Sequence, residues 1–172
     1  MVTHPQYWWS DDTSTKLYAL AVAKPRWLDE RQQDVWQAYL HLNQHLYATL
    51  EGRLVGESGL SGSDYKVLHP LSEAAGVLRA RELCTEIGWD RSRLSHHISR
   101  MERRGLVARE ECAEDGRGLM VRLTDAGRKA IQGAAPDHAE SVRRLFFDPI
   151  SKEELETLGT VFHRLLENLT PS

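Results

Sequence analysis

Between Asp90 and Leu123 the chain changes its hydrophobic period, and no other stretch restricts the fold so tightly. Asp90 is a good helix N-cap, and behind it Leu94, Ile98 and Met101 recur four and three positions apart as far as Gly105, the pattern of a helix anchored along one side. From Leu106 and Val107 the residues read as a strand reaching Cys112. Residues 113–118 supply a turn of acidic residues and two glycines, and Leu119 to Leu123 return as a second strand. A one-sided helix is therefore followed at once by a β-hairpin. At 100° per residue, the side of the helix opposite Ile98 carries Arg93, His96, Arg100 and Arg103, flanked by Ser92, Ser99, His97 and Arg104.

The flanks read as helices. Val35, Tyr39, Leu42, Leu46 and Leu50 form a stripe that starts near Asp29 and is expected to end near Gly52 and Gly56. Ser61 and Asp64 make a capping signal for a second helix running to about Ala75, where Gly76 stops it. A third, short helix is predicted over residues 79–87, with Gly88 just past its end. Thr124 caps a fifth helix through Ala126, Ala130 and Ala134, which Pro136 is expected to kink or break. Ser151 and Glu154 form a capping box for the last helix, striped by Leu155, Leu158, Phe162, Leu165 and Leu169. Trp8 and Trp9 mark the first 27 residues as an arm that docks on a neighbouring surface.

With 172 residues, 41% of them hydrophobic, the chain suffices for one domain with a real core and is too apolar for global disorder. No apolar run approaches the roughly 20 residues of a membrane span, and no secretory signal is read. Two cysteines, Cys84 and Cys112, cannot build a disulfide framework, so a reducing cytoplasm is expected. The net charge of −3 hides an uneven distribution: residues 91–128 hold nine Arg, no Lys and six acids, a basic island in an acidic body. Such an island can hold phosphates while the remaining surface limits non-specific association.

Helix, short turn, helix and polar hairpin is the order of a winged helix-turn-helix. The predicted class is mainly α with a small β-hairpin wing (α+β), about six helices in all. A recognition helix must enter a major groove about 12 Å wide with its N-terminal end leading. Arg91, Ser92, Arg93, Ser95, His96 and His97 are accordingly the candidate contacts near that end, with Arg93 best suited to a bidentate bond to guanine. Arg100, Arg103 and Arg104 follow, Arg100 and Arg103 as phosphate grips. Arg109 is the candidate at the base of the wing.

The stretch from Arg79 to Ile131 resembles the DNA-binding core of the MarR family of bacterial transcription regulators. The resemblance is carried by Asp90 to Ser95, Met101 to Arg109, Asp115 to Arg117 and Val121 to Gly127. It implies a homodimer whose N- and C-terminal helices interlock, dividing the chain into an arm (1–27), a dimerisation helix (28–60), the winged module (61–124) and C-terminal dimerisation helices (125–172). It also implies a wing with Arg117 in the minor groove, Asp115 orienting it and Gly116 allowing close approach, and a crevice for a small phenolic or carboxylate effector, for which Trp36, Tyr39, Tyr65 and His69 are candidate lining. Double-stranded DNA and a second copy of the chain are the implied partners, in the cytoplasm and on the nucleoid when bound. His97 departs from the family pattern, which has an aliphatic residue there; a half-buried structural histidine and a residue turned partly toward the groove are both open.

Other chemistry finds less footing. His41 and His45 lie four apart without the glutamate of a zinc-protease helix, so neither metal nor cofactor is predicted. Cys84 reads as packing, and the acidic neighbours of Cys112 raise rather than lower a thiol pKa. No phosphate loop or nucleophilic triad stands out, so an enzyme is not expected. The expected function is sequence-specific transcription regulation, as a homodimeric repressor of pseudo-palindromic operators released by an effector. The alternatives are a winged-helix protein-interaction adaptor that binds no DNA and a redox- or metal-responsive regulator.

Overall fold

The computed structural model describes residues 25–111 and 119–169. The tryptophan-bearing arm, Cys112 and the wing-tip candidates Asp115, Gly116 and Arg117 lie outside the described residues. The chain divides after Ala38 into two compact units, the first of which contributes residues 25–29 and the opening turns of a long helix.

That helix, α1, spans Glu30–Ser58. Asp29 and Gln32 close its start reciprocally, each backbone N–H donating to the other's side chain at 3.0 and 2.8 Å. Contrary to expectation, α1 runs through Gly52 and Gly56 and ends only before Gly59, whose φ of 69° a helix cannot continue. A helical glycine costs only about 1 kcal/mol relative to alanine. Buried Leu50 and Leu54 secure this part of α1, so packing overrides propensity.

Helix α2 covers Gly62–Glu73 and opens with the expected capping box between Ser61 and Asp64. A three-residue strand, β1 (Val77–Arg79), follows before helix α3 (Ala80–Ile87). The sequence gives no sign of β1, because three residues cannot display a period of two. Gly88, in the left-handed region at φ 66°, ends α3, and Trp89 and Asp90 lead into α4 (Arg91–Arg103). The hairpin strands are β2 (Val107–Glu111) and β3 (Leu119–Leu123). The wing is therefore a three-stranded antiparallel sheet in the order β1-β3-β2, with Leu78 opposite Val121 and Arg109 opposite Val121 from the other side.

Helix α5 (Asp125–Val142) starts at the Thr124 cap and passes through Pro136 without breaking, so of the two expected outcomes a break does not occur. Ile131 and Ala134 before the proline and Ser141 after it are all buried, which holds both halves in place despite the missing N–H. A π-helical turn, Arg143–Phe147, precedes α6 (Lys152–Leu169), which opens with the predicted Ser151–Glu154 box. The core joins Val67, Leu68 and Leu71 of α2 to Leu83 of α3, Ile98 and Met101 of α4 and Val121 of β3. Each such side chain stabilises by about 1.5–3 kcal/mol. By contrast α6 buries nothing, and its Leu155, Phe162, Leu165, Leu166 and Leu169 are exposed. Among the described residues no helix is long and apolar enough to cross a membrane.

Candidate nucleic-acid interface

The outward face of α4 follows from its inward one. Leu94, Ile98 and Met101 are buried, which turns Arg91, Ser92, Arg93, Ser95, His96, Arg100 and Arg103 to solvent. The Asp90 carboxylate accepts the Arg93 N–H at 2.9 Å, satisfying a donor in the first turn.

Three of the candidate contacts are used internally. His97 is buried, at 5% exposure, and its Nε2 lies 3.1 Å from Asp64 Oδ1. Arg100 donates to His97 Nδ1 at 2.8 Å; because arginine can only donate, Nδ1 must accept, which leaves the proton on Nε2, close to Asp64 but not aligned on its carboxylate as a hydrogen bond. His97 is thus a structural link and not a groove-facing residue, the first of the two readings left open by the sequence. Arg104 donates to Asp64 Oδ2 at 2.6 Å and to Gly59 O at 3.2 Å, so its role is to tie the end of α4 to the start of α2. Burial alone would raise the Asp64 carboxyl, but His97, Arg104 and the Ser61 N–H and hydroxyl outweigh it and hold Asp64 well below the usual carboxylate range.

Arg109 is likewise a strap. Its guanidinium donates to Ser95 O at 2.7 Å and Ser99 Oγ at 2.8 Å, and pairs with Glu102 Oε2 at 2.9 Å. Its own N–H donates to the same Glu102 carboxylate at 3.0 Å. The base of the wing is therefore fastened to α4 at several points, with Arg109 as the fastener. Sequence reasoning missed Arg79 and Arg81, which with Arg91 surround a hollow of about 380 Å³ beside Ser95 and Leu119. The Arg-x-Arg spacing across the start of α3 is the available signal.

A larger cleft, about 1100 Å³, opens on the side of α2 facing α5 and the second half of α1. Tyr65 and His69 line it. His138 of α5 stands 4.4 Å from the Tyr65 ring, and His69 stacks on the same ring at 5.7 Å. Burial, aided by neighbouring His69, lowers the His138 pKa, and burial raises that of Tyr65. The sequence hid His138 because only the packing of α5 on α2 brings it there. Cys84, in the wall of the smaller hollow, has its thiol raised by burial against a smaller opposing pull from Arg91, a balance that disfavours a reactive thiolate. His41 and His45 sit edge to face 6.5 Å apart, and among the described residues no group of three metal-binding side chains forms.

The sequence profile of the MarR family matches residues 58–118, from the end of α1 into the wing. The chain is 39% identical to AbsC, a MarR family transcriptional regulator from Streptomyces coelicolor, with a TM-score of 0.80 over 84% of this chain and 98% of that one. The chain belongs to the MarR family. This MarR-family transcriptional regulator is also 36% identical to Sco3205 of the same organism, whose structure was solved in complex with DNA, with a TM-score of 0.82 over 88% and 95% of the two chains. The PcaV transcriptional regulator from Streptomyces coelicolor, in complex with its natural ligand, is 26% identical with a TM-score of 0.69, over 85% of this chain and 100% of that one. Membership accounts for the winged-helix DNA-binding fold, including the helices outside the profile match. Within it, the buried His97–Asp64 link is the feature that the sequence alone left undecided.

Proposed function

We propose that this MarR-family regulator is a homodimeric repressor that reads a pseudo-palindromic operator with α4 of each copy and is released when a small molecule occupies the large cleft. The observation that carries the reading is the row of exposed Arg93, His96, Arg100 and Arg103 on a helix whose opposite side is locked into the core. Arg93, near the leading end, is assigned to a guanine edge. Arg103 grips a phosphate, as does the part of Arg100 not used by His97, and Ser92, Ser95, His96 and Arg91 complete the contact. Arg79 and Arg81 extend the basic surface along the backbone, and Asp115, Gly116 and Arg117 form the minor-groove tip.

Arg93→Ala is expected to cost about 1–3 kcal/mol on the cognate operator and to relax preference at one base position, whereas Arg103→Ala should weaken all sequences alike and reduce the salt slope by about 1. Quantitative binding to an operator and its single-base variants across a salt series separates the two. Equal losses irrespective of sequence for both variants would overturn the assignment of Arg93.

The second copy is supported by the uncovered apolar face of α6, which a monomer would leave in water. On this reading residues 28–60 and 125–172 dimerise and 61–124 bind DNA. Two-fold symmetry then sets half-sites about 10 bp apart. Light scattering at micromolar concentration should give twice the 19.6 kDa of the chain; a single-chain mass alone would remove the dimer.

The cleft beside Tyr65, His69 and His138 supports the effector, phenolic or carboxylate in character, with the protein working in the cytoplasm on nucleoid DNA. A phenol or aryl carboxylate that raises the melting temperature should also release operator DNA, by linkage. Stabilisation with unchanged DNA affinity would count against an effector role.

A further inference from the structure

Arg93 is bound up with a residue that belongs to neither the groove-facing row nor the helix it stands on. Its guanidinium carbon sits 4.3 Å over the ring of Trp89, the last residue but one before α4. Trp89 is only 8% exposed, and its ring meets His97 edge to face at 5.3 Å, while His97 in turn faces Asp64. The indole is thus fixed from behind by a buried polar link to α2 and offers its face to one arginine. A guanidinium stacked on an indole is held by cation–π attraction and loses less freedom when its N–H edge meets a planar acceptor pair. Trp89 and Arg93 also both line the large cleft, so the indole forms a wall common to the cleft and the reading face.

We propose that Trp89 is a positioning residue for Arg93: its indole face presets the guanidinium for one base edge, so that base preference at that position depends on a residue that does not touch DNA. The inference rests on the assignment of Arg93 as the base reader, and the variants below test the two separately.

The experiment is selection from a random double-stranded DNA library, followed by affinities for single-base variants of the selected site, with the full chain and with Arg93→Ala, Trp89→Phe, Trp89→Leu and the Arg93→Ala/Trp89→Leu pair. Arg93→Ala should abolish preference at one position per half-site, a loss of at least about fivefold in discrimination. Trp89→Leu should lower the same preference, and no other, by about two- to fivefold, with the salt slope unchanged, and Trp89→Phe should fall between it and the parent because phenyl is the weaker cation–π partner. In the pair, losing Trp89 should add nothing at that position. Discrimination at that position left intact by Trp89→Leu, or a uniform loss at every position, would show that Trp89 only packs and overturn the proposal. Should Trp89→Leu fail to fold, Trp89→Phe decides: preference identical to the parent sinks the positioning role. If Arg93→Ala keeps the preference, the base-reading assignment falls and the positioning role with it, whereas a loss in Arg93→Ala alone removes only the role of Trp89.

Discussion

Asp64→Ala is expected to lower the stability of the protein by about 3–5 kcal/mol, more than truncation of any outward-facing arginine of α4 is proposed to cost in binding. The carboxylate is 2% exposed and receives the Ser61 N–H at 2.9 Å, with His97 at 3.1 Å and Arg104 at 2.6 Å. Removing it strands a buried imidazole and opens the α2 capping box. Arg104 is nearly half exposed and can regain water, which places the expected cost toward the lower end of the range. Asp64→Asn, which keeps the shape and loses the charge, should fall between. The pH dependence has a definite sign. Because the folded state holds the carboxyl below its unfolded value of about 3.9, its stabilisation is complete above that pH and drains away as pH falls beneath it. Denaturant unfolding across pH 2 to 7 should therefore show a shallower acid loss in Asp64→Asn than in the parent. Parallel acid limbs, or a cost below about 1 kcal/mol for the alanine variant, would mean that the link contributes little.

Gly127→Ala should be nearly as damaging, about 3 kcal/mol or more, at the upper end of what overpacking costs. A Cβ there would stand 2.0 Å from Leu106 O and 2.9 Å from both Leu106 C and Leu123 Cδ1. The backbone of α5 reaches this close because Thr124 stitches its first turn to the start of the wing. The Thr124 hydroxyl donates to Gly105 O at 2.6 Å, its N–H donates to Leu106 O at 3.2 Å, and its oxygen accepts the Gly127 N–H at 3.0 Å. Neither a backbone carbonyl nor a cap held this way can give a full ångström. Gly133→Ala, in the same helix with nothing within 4 Å of the added carbon, is the control and should stabilise by up to about 1 kcal/mol. Thermal melts of the two variants should move in opposite directions; a shared direction would show that close approach at Leu106 is not what requires glycine.

What could be read in advance was whatever local chemistry specifies. The caps at Ser61, Asp90, Thr124 and Ser151 appear where their side chains demand, and the stripe Leu94, Ile98, Met101 settles which arginines of α4 face outward. What escaped depends on partners distant in sequence. His97 and Arg104 flank the outward face by angle alone, yet Asp64 on another helix draws both inward. Arg109 looks like a free wing cation until the carbonyl of Ser95 and the carboxylate of Glu102 are brought beneath it. The same holds for the cleft: Tyr65 and His69 share one face of α2, but His138 arrives only with α5. Continuation through Gly52, Gly56 and Pro136 likewise reflects tertiary burial overriding residue preference.

The Arg109 strap bears on how such a protein can be switched. With β2 pinned along α4 by bonds to Ser95, Ser99 and Glu102, the strand cannot swing while the helix stays put. In the proposed dimer, a signal that detaches the protein from DNA would therefore tilt α4 and the base of β2 together as one jaw, and the response would be set by the distance between two jaws.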